Sequence, residues 1–217
     1  FSISINLRNL MKGSILRVKF LRKIGVFRVS EGADIRFASV NSRVLNYLEG
    51  FDSRANYISN TYMLSAVHLV AGDLVVDCGA NMGDLEYFFR MNHSGIKYVG
   101  YEPNPHDFVC LQHNVGADKS RNIGLWNKVG SIPFYVNDAF ASSSFIEPPE
   151  YKEIIEIPAS TLSDRFPAEK IRLLKLEAEG AEPEVLEGAS RILSNIDYIS
   201  ADVGPERGTN EEETRDF

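Results

Sequence analysis

Residues 74–92 constrain this chain more than any other segment. A short apolar run, Leu74-Val75-Val76, leads into Asp77 and Cys78. A glycine turn follows, Gly79-Ala80-Asn81-Met82-Gly83, and after Asp84 the residues Leu85, Phe88 and Phe89 recur at helical spacing. The pattern predicts a buried strand over 73–78, a tight loop, and a helix from about 82 to 92. A loop of this kind brings a ligand's polar groups up to a helix N-terminus with few side chains intervening. In open α/β sheets, ligands sit in the crevice at the carboxyl ends of such strands.

A second signal lies downstream. Lys97-Tyr98-Val99-Gly100-Tyr101 reads as another short strand, closed by Glu102 and followed by Pro103-Asn104-Pro105. Glu102 comes about twenty residues after Gly83, where a nucleotide-binding βαβ unit places its ribose-binding acid. A carboxylate there can accept both ribose hydroxyl protons.

The loop also discriminates between cofactors. A dinucleotide carries a pyrophosphate, which favours Gly-x-Gly-x-x-Gly and bare backbone N–H groups. Here acids flank the loop, Asp77 before it and Asp84 after it. They suit a ligand with an ammonium and a sulfonium and no phosphate. S-adenosylmethionine is such a ligand, and it is preferred over NAD.

The rest of the chain alternates strand and helix signals. Residues 33–72 read as one or two strands and a helix around 57–69. A helix over 105–115 opens with Pro105, a favoured first-turn residue. The segments 123–126 and 132–136 flank a turn and predict a hairpin. A short strand at 154–158 and a helical turn at 161–166 follow. Further core strands are predicted at 171–177 and 197–202, with a helix from Pro183 between them. Alternation of this kind predicts a mainly parallel, doubly wound sheet with helices on both faces. The reading divides the chain into residues 1–70, a basic segment and cap region, and residues 71–217, the cofactor-binding domain.

Composition narrows the function. At 217 residues with 44% hydrophobic content, the chain can bury one sizeable α/β domain. A formal charge of −7 disfavours general nucleic-acid binding. Residues 1–30 are nonetheless basic, with Arg8, Lys12, Arg17, Lys19, Arg22, Lys23 and Arg28 and no acid. Interleaved apolar residues suggest a helix packed on the domain with a solvated basic face; the alternatives are membrane-surface contact or an arm that attracts an anionic substrate. The two cysteines, Cys78 and Cys110, read as small buried hydrophobes in a reducing, cytoplasmic compartment. Neither chain end reads as a natural terminus, so a fragment is expected.

Several core strands end in acids: Asp77, Glu102, the Glu177/Glu179 pair and Asp202. A parallel sheet gathers these ends at one edge. Lys175, Glu177 and Glu179 alternate, so in an extended strand they share a side. They form either an ion pair that steadies the strand end or a group that handles the proton of a substrate nucleophile. A metal held by Glu177, Glu179 and Asp202 ranks below a metal-free site. His106 is the one histidine near the expected crevice and a minor base candidate. Ser142, Ser143 and Ser144 could line the substrate mouth.

The runs VVDCGANMGD, YEPNP and LKLEAEGAEPEVLEGA, with Gly124-Leu125-Trp126 and the serine-rich segment near 143–147, resemble the FkbM family of S-adenosylmethionine-dependent methyltransferases over residues 70–208. The resemblance implies a class I methyltransferase fold, Rossmann-like, whose seven-stranded sheet has one antiparallel strand. It implies O-methylation of a hydroxyl on a sugar, glycan or secondary metabolite. Asp77, Gly79, Asn81 and Gly83 would form the cofactor loop, with Ala80, Asp84 and Asn104 beside it, and Glu102 would bind the ribose. Lys175, Glu177 and Glu179 would face the reaction centre. The chain departs from the family where aspartate is commoner at position 177, and where a longer acid is expected at Asp202. An inactive binding or scaffold protein on the same fold, and a nicotinamide oxidoreductase, are the alternative expectations.

Overall fold

The computed structural model describes residues 1–11, 15–137 and 143–217. The chain opens with helix α1 (Ser2–Met11), then an antiparallel sheet of β1 (Leu16–Leu21), β2 (Val26–Glu31) and β3 (Asp34–Ala38). The helical reading of residues 1–30 holds for Ser2–Met11 and is corrected from Leu16 onward, where the chain forms strands. Over β1 the apolar and basic residues alternate with period two: Leu16 and Val18 are buried while Arg17 and Lys19 are exposed. That is the period of a half-buried strand. Asn6 of α1 ties the two elements together, accepting from the Val18 N–H at 2.8 Å and donating to the Val18 carbonyl at 2.9 Å. Arg8 and Lys12 bear on the basic-face reading, but the Arg8 side chain and Lys12 lie outside the described residues.

Two cap helices follow, α2 (Asn41–Leu45) and α3 (Phe51–Thr61). Helix α3 lies earlier than the expected 57–69. It ends at Tyr62, and Met63 takes a left-handed backbone, φ 50°, that starts a separate short turn. The core then runs β4 (Leu74–Cys78), α4 (Asp84–Asn92), β5 (Lys97–Tyr101), α5 (Pro105–Val115) and β6 (Ser120–Arg121). After it come β7 (Gly124–Leu125), β8 (Gly130–Val136), β9 (Glu153–Ser160), α6 (Leu162–Arg165), β10 (Ile171–Leu176), α7 (Glu182–Gly188) and β11 (Ile196–Ala201). A small ribbon, β12 (Pro205–Arg207) and β13 (Glu212–Glu213), closes the chain.

The main sheet has the order β11-β10-β4-β5-β6 and is parallel throughout. Neighbouring residues of one strand serve opposite layers. Val75 and Leu173 pack with Leu85 and Phe89 of α4 and with Tyr62 and Leu64 of the cap. Val76, Leu174 and Leu176 pack with Leu162 of α6 and with Val185 and Ala189 beside α7. Each such side chain contributes about 1.5–3 kcal/mol when fully buried. Helices therefore cover both faces.

Two expectations need correction. The sheet was expected to hold seven strands, one of them antiparallel; among the described residues it holds five, all parallel. Three further strands form a separate sheet in the order β7-β9-β8. That arrangement also removes the hairpin expected over 123–136. β7 and β8 both pair with β9, which lies between them, β7 in parallel and β8 antiparallel. The eight residues of β9 offer both edges, and the Trp126 N–H donates to the Ser160 carbonyl at 2.9 Å. Two strands separated by a turn do not reveal a third strand between them.

Candidate functional site

The chain runs from β4 to β5 and β6 in one direction across the sheet, and from β10 to β11 in the other. The point of reversal, between the carboxyl ends of β4 and β10, is where a doubly wound sheet opens a crevice. A cavity of about 340 Å³ lies there. Its walls come from the loops after β4, β5 and β10, from the cap helices, and from an apolar side that includes Leu125, Phe134 and Phe145.

The β4 loop is held tightly against the β10 loop. Gly79 has φ 72°, and a Cβ placed on it would stand 1.9 Å from the Glu177 carbonyl oxygen. Only glycine allows that approach. The loop's own N–H groups are largely consumed. Those of Gly79 and Ala80 donate to the Tyr101 carbonyl, that of Gly83 to the Ala80 carbonyl, and that of Asn81 to the Glu102 carboxylate at 2.7 Å. A pyrophosphate needs such donors free.

Glu102, at the end of β5, is buried. Its Oε2 accepts from Asn81, and its Oε1 accepts from the Asn104 N–H at 2.8 Å. Each oxygen keeps lone-pair capacity for a further donor. Burial and the neighbouring Asp107 push its pKa up to about 8, against the pull of the two N–H donors. The Asn104 side chain caps α5, accepting from the His106 N–H at 3.0 Å. Such a cap contributes about 1 kcal/mol to its helix. Asn104 therefore meets the site through its backbone.

The two acids that suggested a cationic ligand are both engaged within the protein. Asp77 is 1% exposed; its Oδ2 accepts from Tyr98 Oη at 2.6 Å and its Oδ1 lies 3.2 Å from Lys175 Nζ. Asp84 accepts from Arg36 at 3.0 Å and Tyr47 at 2.6 Å through Oδ1, and from Arg54 at 2.9 Å through Oδ2. It clasps the start of α4 to β3 and the cap. Burial opposes its charge, but the two arginines outweigh burial and hold its pKa below the usual carboxylate range. The spent loop N–H groups, rather than these acids, distinguish the ligand.

Lys175 is the hub of the β10 end. Its buried ammonium donates to the Gly79 carbonyl at 2.7 Å and the Cys78 carbonyl at 3.2 Å. It pairs with Glu177 at 2.9 Å and lies 5.0 Å from the centre of the Tyr62 ring. Burial disfavours its charge, yet Asp77 and Glu177 outweigh burial and hold its pKa well above the ordinary lysine range. A lysine with its N–H bonds so committed positions its neighbours; it is not a base. Glu177 receives both Lys175 and the Tyr62 hydroxyl on Oε2. Burial raises its pKa, but Lys175 and Tyr62 override that and hold it below the usual carboxylate range.

Lys175 and Glu177 share a side as expected. Glu179 does not follow by strand alternation: β10 ends at Leu176, and Glu179 takes a left-handed backbone, φ 51°. The turn still brings it to the cavity. Burial, then Glu206 and Glu177, push its pKa up to about 8. Asp202 also lines the cavity. Among the described residues, no group of three or more metal-ligating side chains is placed to hold an ion. His106 is corrected as a base candidate: its Nε2 lies 3.2 Å from the Gly25 carbonyl, against the turn between β1 and β2. Of the serines, Ser143 lines the cavity, Ser144 donates to the Glu179 carbonyl at 2.6 Å, and Ser142 lies outside the described residues.

Sequence reasoning missed the cap's contribution, chiefly Tyr62, Arg43, Arg54 and Tyr57. No local spacing marks them, because tertiary packing alone brings them over the sheet. Tyr98 could have been found. In the parallel register Asp77 faces Gly100, which puts Tyr98 two residues away on the same face.

Comparison with known proteins adds a family to this geometry. A family model described as the methyltransferase FkbM domain matches residues 77–213. The 31-O-demethyl-FK506 methyltransferase FkbM of Streptomyces tacrolimicus is 30% identical over 91 residues, covering 42% of this chain and 33% of that protein. The methyltransferase sdnD of Sordaria araneosa is 24% identical over 160 residues, covering 56% and 62%. The chain thus spans between a third and two-thirds of these relatives' lengths. A crystal structure of a methyltransferase FkbM from Methylobacillus flagellatus aligns with a TM-score of 0.43 at 16% identity, covering 68% of this chain and 36% of that one.

Proposed function

This chain belongs to the FkbM methyltransferase family, and from that premise we propose that it uses S-adenosylmethionine to methylate a hydroxyl of a sugar, glycan or secondary metabolite. One observation carries the cofactor: a buried Glu102 carboxylate anchored by two N–H groups at the switch point, beside a loop whose own N–H groups are spent. That combination suits a ribose diol without a pyrophosphate, and so disfavours a nicotinamide dinucleotide. The Streptomyces relative is named for a 31-O-demethyl substrate, which supports an oxygen acceptor.

The residues fit the donor as follows. Glu102 takes the ribose hydroxyls, the 79–83 loop shapes the floor, and the apolar side with Leu125 and Phe134 excludes water. When bound, the donor supplies an electrophilic methyl group on a sulfonium. Glu177, held ionised by Lys175 and Tyr62, would accept a hydrogen bond from the acceptor hydroxyl and take its proton as the methyl passes to oxygen, the carbon–sulfur bond breaking to leave a neutral thioether. Glu179, with its pKa pushed up to about 8, is largely protonated at neutral pH. Adjacent carboxyls pushed apart in this way divide into base and hydrogen-bond donor. Methyl-labelled donor and a panel of hydroxyl acceptors test the reaction. Glu177→Gln should lower turnover about 100-fold, as expected for loss of a positioned base, with S-adenosylhomocysteine affinity within about threefold of wild type. Equal turnover in the variant would remove Glu177 from the chemistry.

Ligand affinity should depend on pH. Diol hydroxyls donate to the ionised form of Glu102, so binding draws its pKa down from about 8 and releases a proton. S-adenosylhomocysteine should therefore bind more tightly as pH rises from 6 to 8, by at most about tenfold per unit, and level off above 8. Titration in buffers of different ionisation enthalpy checks the proton release; pH-independent binding would contradict it.

The division into a cap, residues 1–70, and a cofactor domain, residues 71–217, follows the site's composition from both. A cytoplasmic location rests on two buried free thiols, Cys78 and Cys110. No helix among the described residues is long and apolar enough to cross a membrane. Weak membrane-surface contact draws on exposed Phe20 and Ile24 beside Lys19, Arg22 and Lys23. Nucleic acid is not proposed as a partner, given the net charge of −7.

A further inference from the structure

The cavity is rich in carboxylates and has three cationic side chains among its described lining residues, Arg43, Arg54 and Lys175. Two of them are committed. Lys175 holds Asp77 and Glu177. Arg54 pairs with Asp84 at 2.9 Å and lies 5.5 Å from the centre of the Tyr57 ring. Arg43, in the last turn of α2, is different: its Nη2 is buried with no hydrogen-bond partner among the described residues. Its charge is felt by Glu177 and Glu179 across the cavity, yet among the described residues it pairs with neither.

A buried guanidinium nitrogen without a partner is costly. Its planar fork matches a carboxylate, which it can engage through two parallel N–H bonds. A phosphate suits this cavity less well, because the carboxylates of Glu177 and Asp202 along its lining would repel a second negative charge. We propose that Arg43 is the carboxylate receptor of this cavity, gripping the acid group of the molecule bound against Glu177. Two sources share that chemistry: the amino-acid end of the methyl donor, or an acid group on the acceptor. The first source rests on the methyl-donor reading above; the second does not.

The test compares wild type with Arg43→Gln, and with Arg43→Lys, which keeps the charge and loses the fork. The first arm titrates S-adenosylhomocysteine and methylthioadenosine, which share adenosine and thioether but differ in the amino-acid carboxylate. If the carboxylate is the donor's, Arg43→Gln weakens S-adenosylhomocysteine at least tenfold, Arg43→Lys weakens it less, and methylthioadenosine is unchanged in both. The unchanged methylthioadenosine affinity also reports that the variants are folded. The second arm titrates glucuronate and glucose, with and without S-adenosylhomocysteine. If the carboxylate is the acceptor's, wild type prefers glucuronate at least tenfold and Arg43→Gln loses the preference. Variants that match wild type in both arms overturn the proposal. Failure of wild type to bind either adenosyl ligand overturns the methyl-donor reading instead, and glucuronate binding to the protein alone then decides the role of Arg43.

Discussion

Replacing Lys175 with methionine should destabilise the protein by about 3–5 kcal/mol, the cost of leaving a buried charge without its partner. The ammonium is 3% exposed and lies between Asp77 at 3.2 Å and Glu177 at 2.9 Å. It also closes the Cys78 and Gly79 carbonyls. Methionine fills similar volume, so the loss is electrostatic rather than a cavity. For a domain of this size, thermal unfolding should fall by roughly 6–20 °C, at about 2–4 °C per kcal/mol. Adding Asp77→Asn should recover part of the loss, because the two residues share one network. A single variant within about 1 kcal/mol of wild type, or strict additivity in the double variant, would show that the ion pair is not what holds the loop. Lys175 was expected at the reaction centre from its alternation with Glu177. The geometry makes it a positioning residue whose effect on chemistry runs through Glu177.

Gly79→Ala should be the most damaging small change in the β4 loop. Its backbone is left-handed, and the added methyl would sit 1.9 Å from the Glu177 carbonyl. Gly208 has the same φ of 72° with nothing within 4 Å of the added carbon. Gly208→Ala therefore pays the backbone strain alone, about 1 kcal/mol. Gly79→Ala pays that strain and must also push the β4 and β10 loops apart. It should lose S-adenosylhomocysteine binding by at least about 100-fold, which is about 2.7 kcal/mol. Calorimetric titration of both variants separates the two effects. Equal behaviour of the alanine variants would mean that the close approach of the loops has no bearing on ligand binding.

What was legible in the chain follows from the range of the forces involved. The β4 strand, its glycine turn and α4 were readable because period, turn residues and helix start are all local. The start of helix α5 was readable because Pro105 is a favoured first-turn residue, while the Asn104 side-chain cap emerged only in the fold. The gathering of Asp77, Glu102, Glu177 and Asp202 at one cavity followed from parallel topology alone. The partner of each acid did not. Asp84 was placed with the ligand because it adjoins the loop, but Arg36, Tyr47 and Arg54 reach it from residues far away in sequence. The basic N-terminal segment misled because a run of mixed basic and apolar residues matches several periods at once, and pairing with β2 selects period two. Arg43 had no motif to announce it. Its place over the cavity is set by how the cap folds back on the sheet.

The central claim is that this cavity holds an adenosyl ligand through Glu102 with no pyrophosphate over the loop. Calorimetric titration of wild type and Glu102→Ala with S-adenosylhomocysteine, and of wild type with NADH, tests it most directly. The account predicts micromolar binding of S-adenosylhomocysteine to wild type, a loss of at least about 30-fold in the variant, about 2 kcal/mol, and no binding of NADH. Binding of NADH, or of S-adenosylhomocysteine equally to both proteins, would contradict it.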